Sequence, residues 1–384
     1  MIRKFVLALG LDEKYGRLIM RHIVSFLTAM AVKGFAGKMV DVAQISGCHR
    51  TTLSHFLSKS PWDEAPLKEC IKERAMQHVA QLATQSGQAV FVSIDDTVNC
   101  KRMPSSQALR PTQGTGFHHS HLLGKRVWGH QAQAVMVSCG KTALSYDIRH
   151  YNKTQQTKIE SAVDVIKGLA VAKTKSYVLT DSWYTNRKII DACATRGYHF
   201  IGALKTNRVI YPQGIGISIA EFATKYIEMN DVDLVTVNAK KYYVYRYEGK
   251  LNGIDNAVVV ISWPFDAFKN PKALKAFITT DVSLDTQTIL AYYAQRWCIE
   301  TFLSDVKGSL GLAKIQIRSI KGIQRFWTLM SLFHLLCVTG HGKSMRFGDG
   351  RGLLRADISK QRVTFIYQCA QRNVSLEDLL AICA

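Results

Sequence analysis

The chain changes its hydrophobic period at residue 89. Upstream, over residues 1 to about 88, apolar side chains recur three and four apart, the spacing of helices packed along one face. Strand-like alternation is absent there. At Ala89 the sequence becomes AVFVSIDD, a short unbroken apolar run that suits a buried strand, and it closes on two adjacent carboxylates, Asp95 and Asp96. Two more strand-like runs follow, HQAQAVMVSC and ALSYDIRHY. The spacing then predicts a helix at about 157–171, a strand SYVLTD, a helix at about 185–195 and a strand HFIGAL. Three strands followed by alternating helix and strand define an α/β sheet whose first three strands meander.

The order is interrupted from about residue 208. DLVTVNA, KYYVYRYE and NAVVVISW read as strands separated by Gly, Asn and Pro turns, so a β-rich segment over 208–280 splits the α/β core. A long helix is expected from about Thr286 to Gly308, capped by Asp285 or Thr286. The expected divisions are therefore helical 1–88, a first core part 89–207, the β-rich insertion 208–280, a core helix region 281–319 and a helical, basic end 320–384. Within the first of these, residues 39–58 suggest a helix from about Val40, a turn at Gly47–Cys48 and a second helix from about Arg50 to Leu57, capped by Thr51 or Thr52. Arg50, Thr52 and His55 on that second helix would suit reading of a DNA major groove, although a helical hairpin used only for packing gives the same pattern.

Charge narrows the partner. Fifty Lys and Arg against 29 Asp and Glu leave a net charge of +21, which points to a polyanion, either nucleic acid or an anionic membrane surface. A membrane fits poorly. The longest apolar stretch, Phe326 to Gly340, falls short of the ~20 residues a span needs, and it contains His334. Nine cysteines without a C-x-x-C pair suggest reduced thiols rather than a disulfide framework or a zinc site. The basic residues also have places. From Thr97 to Tyr146 there are six, among them Lys125 and Arg126, and no acid; an acid-free stretch from Val306 to Gly348 carries seven, including Lys307, Arg318 and Arg325. Both stretches suit contact with DNA phosphates, although a merely solvated basic loop gives the first pattern as well.

The acids are the remaining signal. Asp95 or Asp96 at the end of the first core strand and Asp181 at the end of SYVLTD lie where α/β sheets gather their ligands. A strand-terminal Asp also simply begins turns. Two adjacent carboxylates behind an apolar strand, however, call for a divalent cation or a Lys or Arg to compensate them. Further on, Tyr293, Arg296, Glu300 and Lys307 fall within an arc of roughly 60° and span ~21 Å of one helical stripe. The rest of that helix, Trp297 included, reads as apolar and packed. Arg296 and Glu300 could be an ordinary i,i+4 pair. One acid flanked by two cations and a tyrosine also suits a metal-bound phosphodiester.

With these residues in view, the chain resembles a family. D-D-T at 95–97, D-S-W-Y-T-N at 181–186 and Y-x2-R-x3-E-x6-K at 293–307 are similar to the motifs of the DDE transposases of IS4-like insertion sequences. The resemblance covers nearly the whole chain. It implies a ribonuclease-H-like catalytic core interrupted by the β-rich insertion, a helical DNA-binding region before it and a helical part after it. Asp95, Asp181 and Glu300 would be the catalytic, metal-binding triad, with Asp96 as the alternative to Asp95. Tyr293, Arg296 and Lys307 would contact the transposon-end DNA. The implied cofactor is Mg2+, two ions per site ~3.5–4 Å apart, with Mn2+ able to substitute. The implied activity is metal-dependent cleavage at the element's ends and strand transfer into target DNA, cut-and-paste through a hairpin intermediate. A homodimer on paired terminal inverted repeats, in the bacterial cytoplasm at the nucleoid, completes the expectation. A nuclease without strand transfer and a non-catalytic DNA-binding descendant are the alternatives.

Overall fold

The computed structural model describes residues 1–34, 38–120, 123–251 and 253–383. Helices come first: α1 (Ile2–Ala8), α2 (Leu11–Lys14), α3 (Arg17–Val32), α4 (Met39–Ser46), α5 (Arg50–Ser58) and α6 (Ala65–Ser86). The helix–turn–helix expected over 39–58 is α4 and α5. Gly47 ends α4 in the left-handed region at φ 64°, a conformation that glycine takes without a steric cost. The cap of α5 differs from expectation: His49, not Thr51 or Thr52, occupies it, and its ring nitrogen accepts the Thr51 N–H.

The core follows as β1 (Val90–Cys100), β2 (Gly116–Ser120), β3 (Lys125–Cys139), β4 (Thr142–Tyr151), α7 (Lys158–Lys167), β5 (Ser176–Thr180), α8 (Arg187–Thr195) and β6 (His199–Leu204). β1, β3 and β4 form the expected antiparallel meander, and β5 and β6 run parallel to β1. The first strand does not stop at the acids. β3 keeps pairing with β1 as far as Cys100 opposite Gly129, so the backbone stays extended after β5 has turned away. That pairing is close: a Cβ on Gly129 would lie 2.2 Å from the Asn99 carbonyl oxygen.

The β-rich segment comprises β7 (Val209–Ile210), β8 (Ile217–Ser218), a helix α9 (Ile219–Lys225) that periodicity did not reveal, β9 (Asp233–Val237), β10 (Lys240–Leu251), β11 (Ile254–Pro264) and β12 (Lys275–Thr279). These strands do not stand apart. β12 pairs antiparallel with β6, and β11 and β10 follow, so the whole forms one 12-stranded sheet among the described residues. The mixed α/β class is thus observed, in a sheet that is mostly antiparallel.

Next come α10 (Thr286–Ala294) and α11 (Trp297–Ser309), where a single long helix was expected. Asp285 caps α10 by accepting the Thr288 N–H, as anticipated. The break arises because Gln295, Arg296, Cys298 and Ile299 each donate their N–H three residues back, tightening the chain into a 3-10 turn. Three helices close the chain: α12 (Ile320–Thr339), α13 (Phe347–Gln371) and α14 (Leu376–Cys383).

The apolar stretch 326–340 forms the C-terminal part and cap of α12, which contacts α3, α5, α6, α13 and β4. A helix surrounded on all sides can be apolar all round. Through it the N-terminal helices and one face of the sheet share a continuous core, in which Phe26, Phe56, Trp327 and Phe333 are buried. The other face, with Phe91, Tyr177, Leu179 and Val260, is covered by Ile289 and Leu290 of α10. Among the described residues no helix is long and apolar enough to cross a membrane.

Candidate active site

Strand alternation in β1 sorts the two adjacent acids to opposite sides. Ser93, Asp95 and Thr97 face α11. Cys298 Sγ lies 3.8 Å from Ser93 Oγ, Arg296 Nη1 donates to Asp95 Oδ2 at 2.7 Å, and Lys307 Nζ donates to Thr97 Oγ1 at 2.5 Å. Asp96 faces α7 instead. Lys158 Nζ donates to both its oxygens at 3.0 and 2.9 Å, Tyr184 Oη donates at 3.1 Å, and the Gln131 amide donates as well. Each carboxylate therefore has its own cation.

Asp181 comes to the same side as Asp95 by register. The parallel ladder ends with Ile94 opposite Thr180, and the next residue on each strand is the aspartate. Asp181 Oδ1 accepts the N–H groups of Trp183 (2.9 Å) and Tyr184 (3.3 Å), which fixes the start of the turn. Burial pushes the Asp95 carboxyl up to about 6; Arg296 pulls it back, while the charges of Asp181 and Asp96 add to the rise.

Glu300 joins through Arg296, whose Nη2 donates to Glu300 Oε1 at 2.5 Å. The i,i+4 pair thus exists, but its arginine also reaches across to the strand. Burial alone would lower this guanidinium; Tyr293, Asp95 and Glu300 outweigh it and hold it protonated above its ordinary value. The Tyr293 ring stands 5.9 Å from Arg296 and packs on Phe277 at 4.7 Å, and burial raises its phenol. Burial lowers the Lys307 ammonium. The structure therefore gathers Asp95, Asp181, Tyr293, Arg296, Glu300 and Lys307 at one place. Trp297, expected in the packed surface, is 67% exposed beside them.

The donor set suits a hard divalent cation in part. Asp95 and Asp181 are neighbouring carboxylates whose mutual repulsion a cation would relieve. Glu300 is turned to Arg296, and among the described residues no three His, Cys, Asp or Glu side chains lie close enough together to hold a metal. Asp95 and Glu300 both hold the Arg296 guanidinium, so each would turn fully to such an ion only after releasing it.

The other candidates lie elsewhere. Arg50, Thr52 and His55 are exposed on α5, opposite its buried Leu53, Phe56 and Leu57. Lys125 and Arg126 are exposed at the start of β3, with Arg126 5.1 Å from the Phe117 ring. Arg325 departs from the basic track. It is fully buried, donating to the carbonyls of Phe56, Leu57, Ser60 and Trp62, so it anchors α5 to α12 rather than facing DNA.

Sequence reading missed Lys158, Tyr184 and Lys205. Trp183, in the D-S-W-Y run, is half exposed between the ammonium groups of Lys158 (5.3 Å from its ring centre) and Lys205 (5.2 Å). The available signals were that run itself and Lys158 directly after the Thr157 helix cap.

Residues 107–336 match the family model described as the transposase DDE domain, and the chain belongs to that family. The matched span includes Asp181 and the Tyr293–Lys307 stripe, and begins beyond Asp95 and Asp96. Among solved structures, the chain is similar to the piggyBac transposase synaptic complex with hairpin DNA, at 11% identity and a TM-score of 0.44 over 93% of this chain and 76% of that one. It is also similar to the Mos1 strand transfer complex, at 12% identity and a TM-score of 0.17 over 42% of this chain and 52% of that one. No curated protein matches it.

Proposed function

We propose that this transposase-family chain cleaves DNA at the ends of an insertion sequence and joins the freed 3′-ends to target DNA. The observation that carries the reading is the placement of Asp95, in β1, beside Asp181, directly after the parallel β5, with Arg296 at the cap of α11 and Glu300 in its first turn facing them. The strand order β4-β3-β1-β5-β6, three antiparallel and then two parallel, supports a ribonuclease-H-like core for it. In this reading, residues 1–88 hold DNA, 208–280 is an insertion that lengthens the sheet, and 281–319 supplies the third acid.

Asp95 and Asp181 would hold Mg2+, or Mn2+ in its place, and Glu300 would complete the set. Bound there, such ions supply charge stabilisation to the phosphodiester and a more acidic nucleophile. Arg296 is the movable part. When a phosphate enters, its oxygens compete with Asp95 and Glu300 for the guanidinium, and a bidentate Arg–phosphate contact is as strong as the pairs it replaces. Transfer of Arg296 to DNA would free Glu300 for the cation. Lys307, held near Thr97 two residues along β1, would bind the backbone on the other side, and Tyr293 would keep Arg296 aimed. Hairpin formation and a dimer on paired ends belong to the same proposal.

The test uses purified protein, Mg2+ and a duplex carrying the DNA that flanks the gene on either side, followed by a target plasmid. Cleavage at the flanks with joined product is expected. Cleavage without joining would favour a nuclease, and binding without cleavage a non-catalytic protein. Activity surviving Glu300→Ala would remove Glu300 from the site.

A further inference from the structure

A second feature concerns DNA away from the acids. Between α5 and the body of the protein lies a groove of about 1020 Å³. Arg50 and Lys59 line it from the α5 side, and Arg110 and Arg318 line it from the opposite wall. All four are exposed, no acid lines the groove, and among the described residues none of the four is paired with a carboxylate.

The walls are braced. Gln113 N–H donates to the Arg318 carbonyl at 2.9 Å, Ile320 N–H to Gln113 Oε1 at 3.1 Å, and Arg318 Nη1 to the Arg110 carbonyl at 3.3 Å. On the other side, buried Arg325 ties the end of α5 to α12. With Lys38 beside α4, five like charges therefore line one groove, an arrangement that costs repulsion until an anion enters. The volume lies at the upper end of the ~300–1,000 Å³ that encloses a small ligand, and the groove is open, so it suits a polymer threading through. Its body wall also leads to the acids. Residues 316–319 follow α11, and Lys101, one residue past β1, clamps the intervening turn by donating to the carbonyls of Ala313 (2.8 Å) and Ile315 (2.6 Å).

We propose that this groove binds the sugar–phosphate backbone of duplex DNA, between the segment met by α5 and the scissile phosphate. The proposal rests on reading the chain as a DNA-processing protein. Contacts of this kind neutralise phosphates without reading bases, so binding there is independent of sequence and weakens steeply with salt.

The experiment measures fluorescence anisotropy of a random-sequence duplex against KCl concentration, without divalent cation, using the full chain. Removing two phosphate contacts with Arg110→Gln/Arg318→Gln should lower the slope of log K against log salt by about 2. The charge-preserving Arg110→Lys/Arg318→Lys should keep the native slope. Lys59→Gln, an exposed residue, should lower it by about 1 with thermal unfolding unchanged. A native slope in both Gln variants, while DNA is still bound, would overturn the groove and leave the proposed function standing. Failure of the native protein to bind any duplex would overturn the function as well.

Discussion

Ile94 and Thr180 form the last rung of the parallel ladder between β1 and β5, and the residue after each is an aspartate. The two carboxylates meet because the strands part at the same level, with no loop needed to bring them together. Replacing either Asp95 or Asp181 by Asn should reduce Mg2+-dependent cleavage by ~10³-fold or more while leaving the unfolding transition in place. Gel assays of cleavage against Mg2+ concentration check this. If Asp95→Asn kept native activity and Asp96→Asn lost it with its fold intact, the assignment between the two acids would be reversed.

Asp96 has a different part to play. Its carboxylate and Lys158 form a mostly enclosed pair at 2.9 Å, joined by Tyr184. Lys158→Met should cost ~3 kcal/mol, because it strands a carboxylate away from water. Adding Asp96→Asn should recover much of that loss. Urea unfolding of both single variants and the double gives the coupling; simple additivity would mean that the pair contributes nothing.

Arg325 joins the N-terminal helices to the rest through carbonyls at the end of α5, of which that of Phe56 also accepts the Trp62 indole N–H at 2.8 Å. Arg325→Met should destabilise the protein by several kcal/mol, on the scale of ~3–5 for a buried charge partner removed, since Glu64 also loses its ion pair. Hydrogen exchange should report loss of protection in α5 before the sheet. Unchanged exchange in α5 would show that packing on α12 alone holds it.

Acid should weaken the fold through its histidines. Burial holds His334 at about 3 and His130 at about 4, the latter despite its hydrogen bond to the Gln113 carbonyl. Both bind a proton more readily when unfolded, near 6.5. The stability they contribute is complete above that value and is lost as the pH falls towards their native values, by at most ~1.4 kcal/mol per unit for each. Asp95 opposes them. Its native value of about 6 lies above the 3.8 of an unperturbed carboxyl, so protonation between these limits favours the folded state. Burial also lowers His22, His78, His118 and His150 and raises Asp305, so the histidines outnumber the raised carboxyls and stability should fall from about pH 6.5 to 4. His334→Gln should lose ~1 kcal/mol less than the native chain between pH 7.5 and 5.5, as measured by urea unfolding.

Much of this was legible before the structure. The apolar run ending at Asp95–Asp96, the strand ending at Asp181 and the Tyr293–Lys307 spacing each lie where local pattern and neighbouring structure agree. What escaped came from partners distant in sequence. Nothing near Asp96 announces that β3 prolongs β1 to Cys100, because the ladder is made by residues thirty and more positions away. Arg325 looked like one more surface cation, since its burial depends on four carbonyls at the end of a helix from the other end of the chain. The break at Arg296 was hidden for another reason: the segment contains neither Gly nor Pro, and the 3-10 turn arises where Arg296 is drawn to Asp95.

The alternation along β1 also bears on how such a gene can change. Asp95 and Thr97 belong to one side of the sheet and Asp96 to the other, with their partners on α11 and α7. Losing or gaining a single codon between 90 and 95 would exchange the sides, turning Asp96 towards Arg296 and the neighbouring acid into a scaffold built for a different one. The same change in the 101–115 loop would only lengthen or shorten a connection. Length variation among descendants of this chain should therefore collect in its loops and spare those few codons, whatever substitutions accumulate around them.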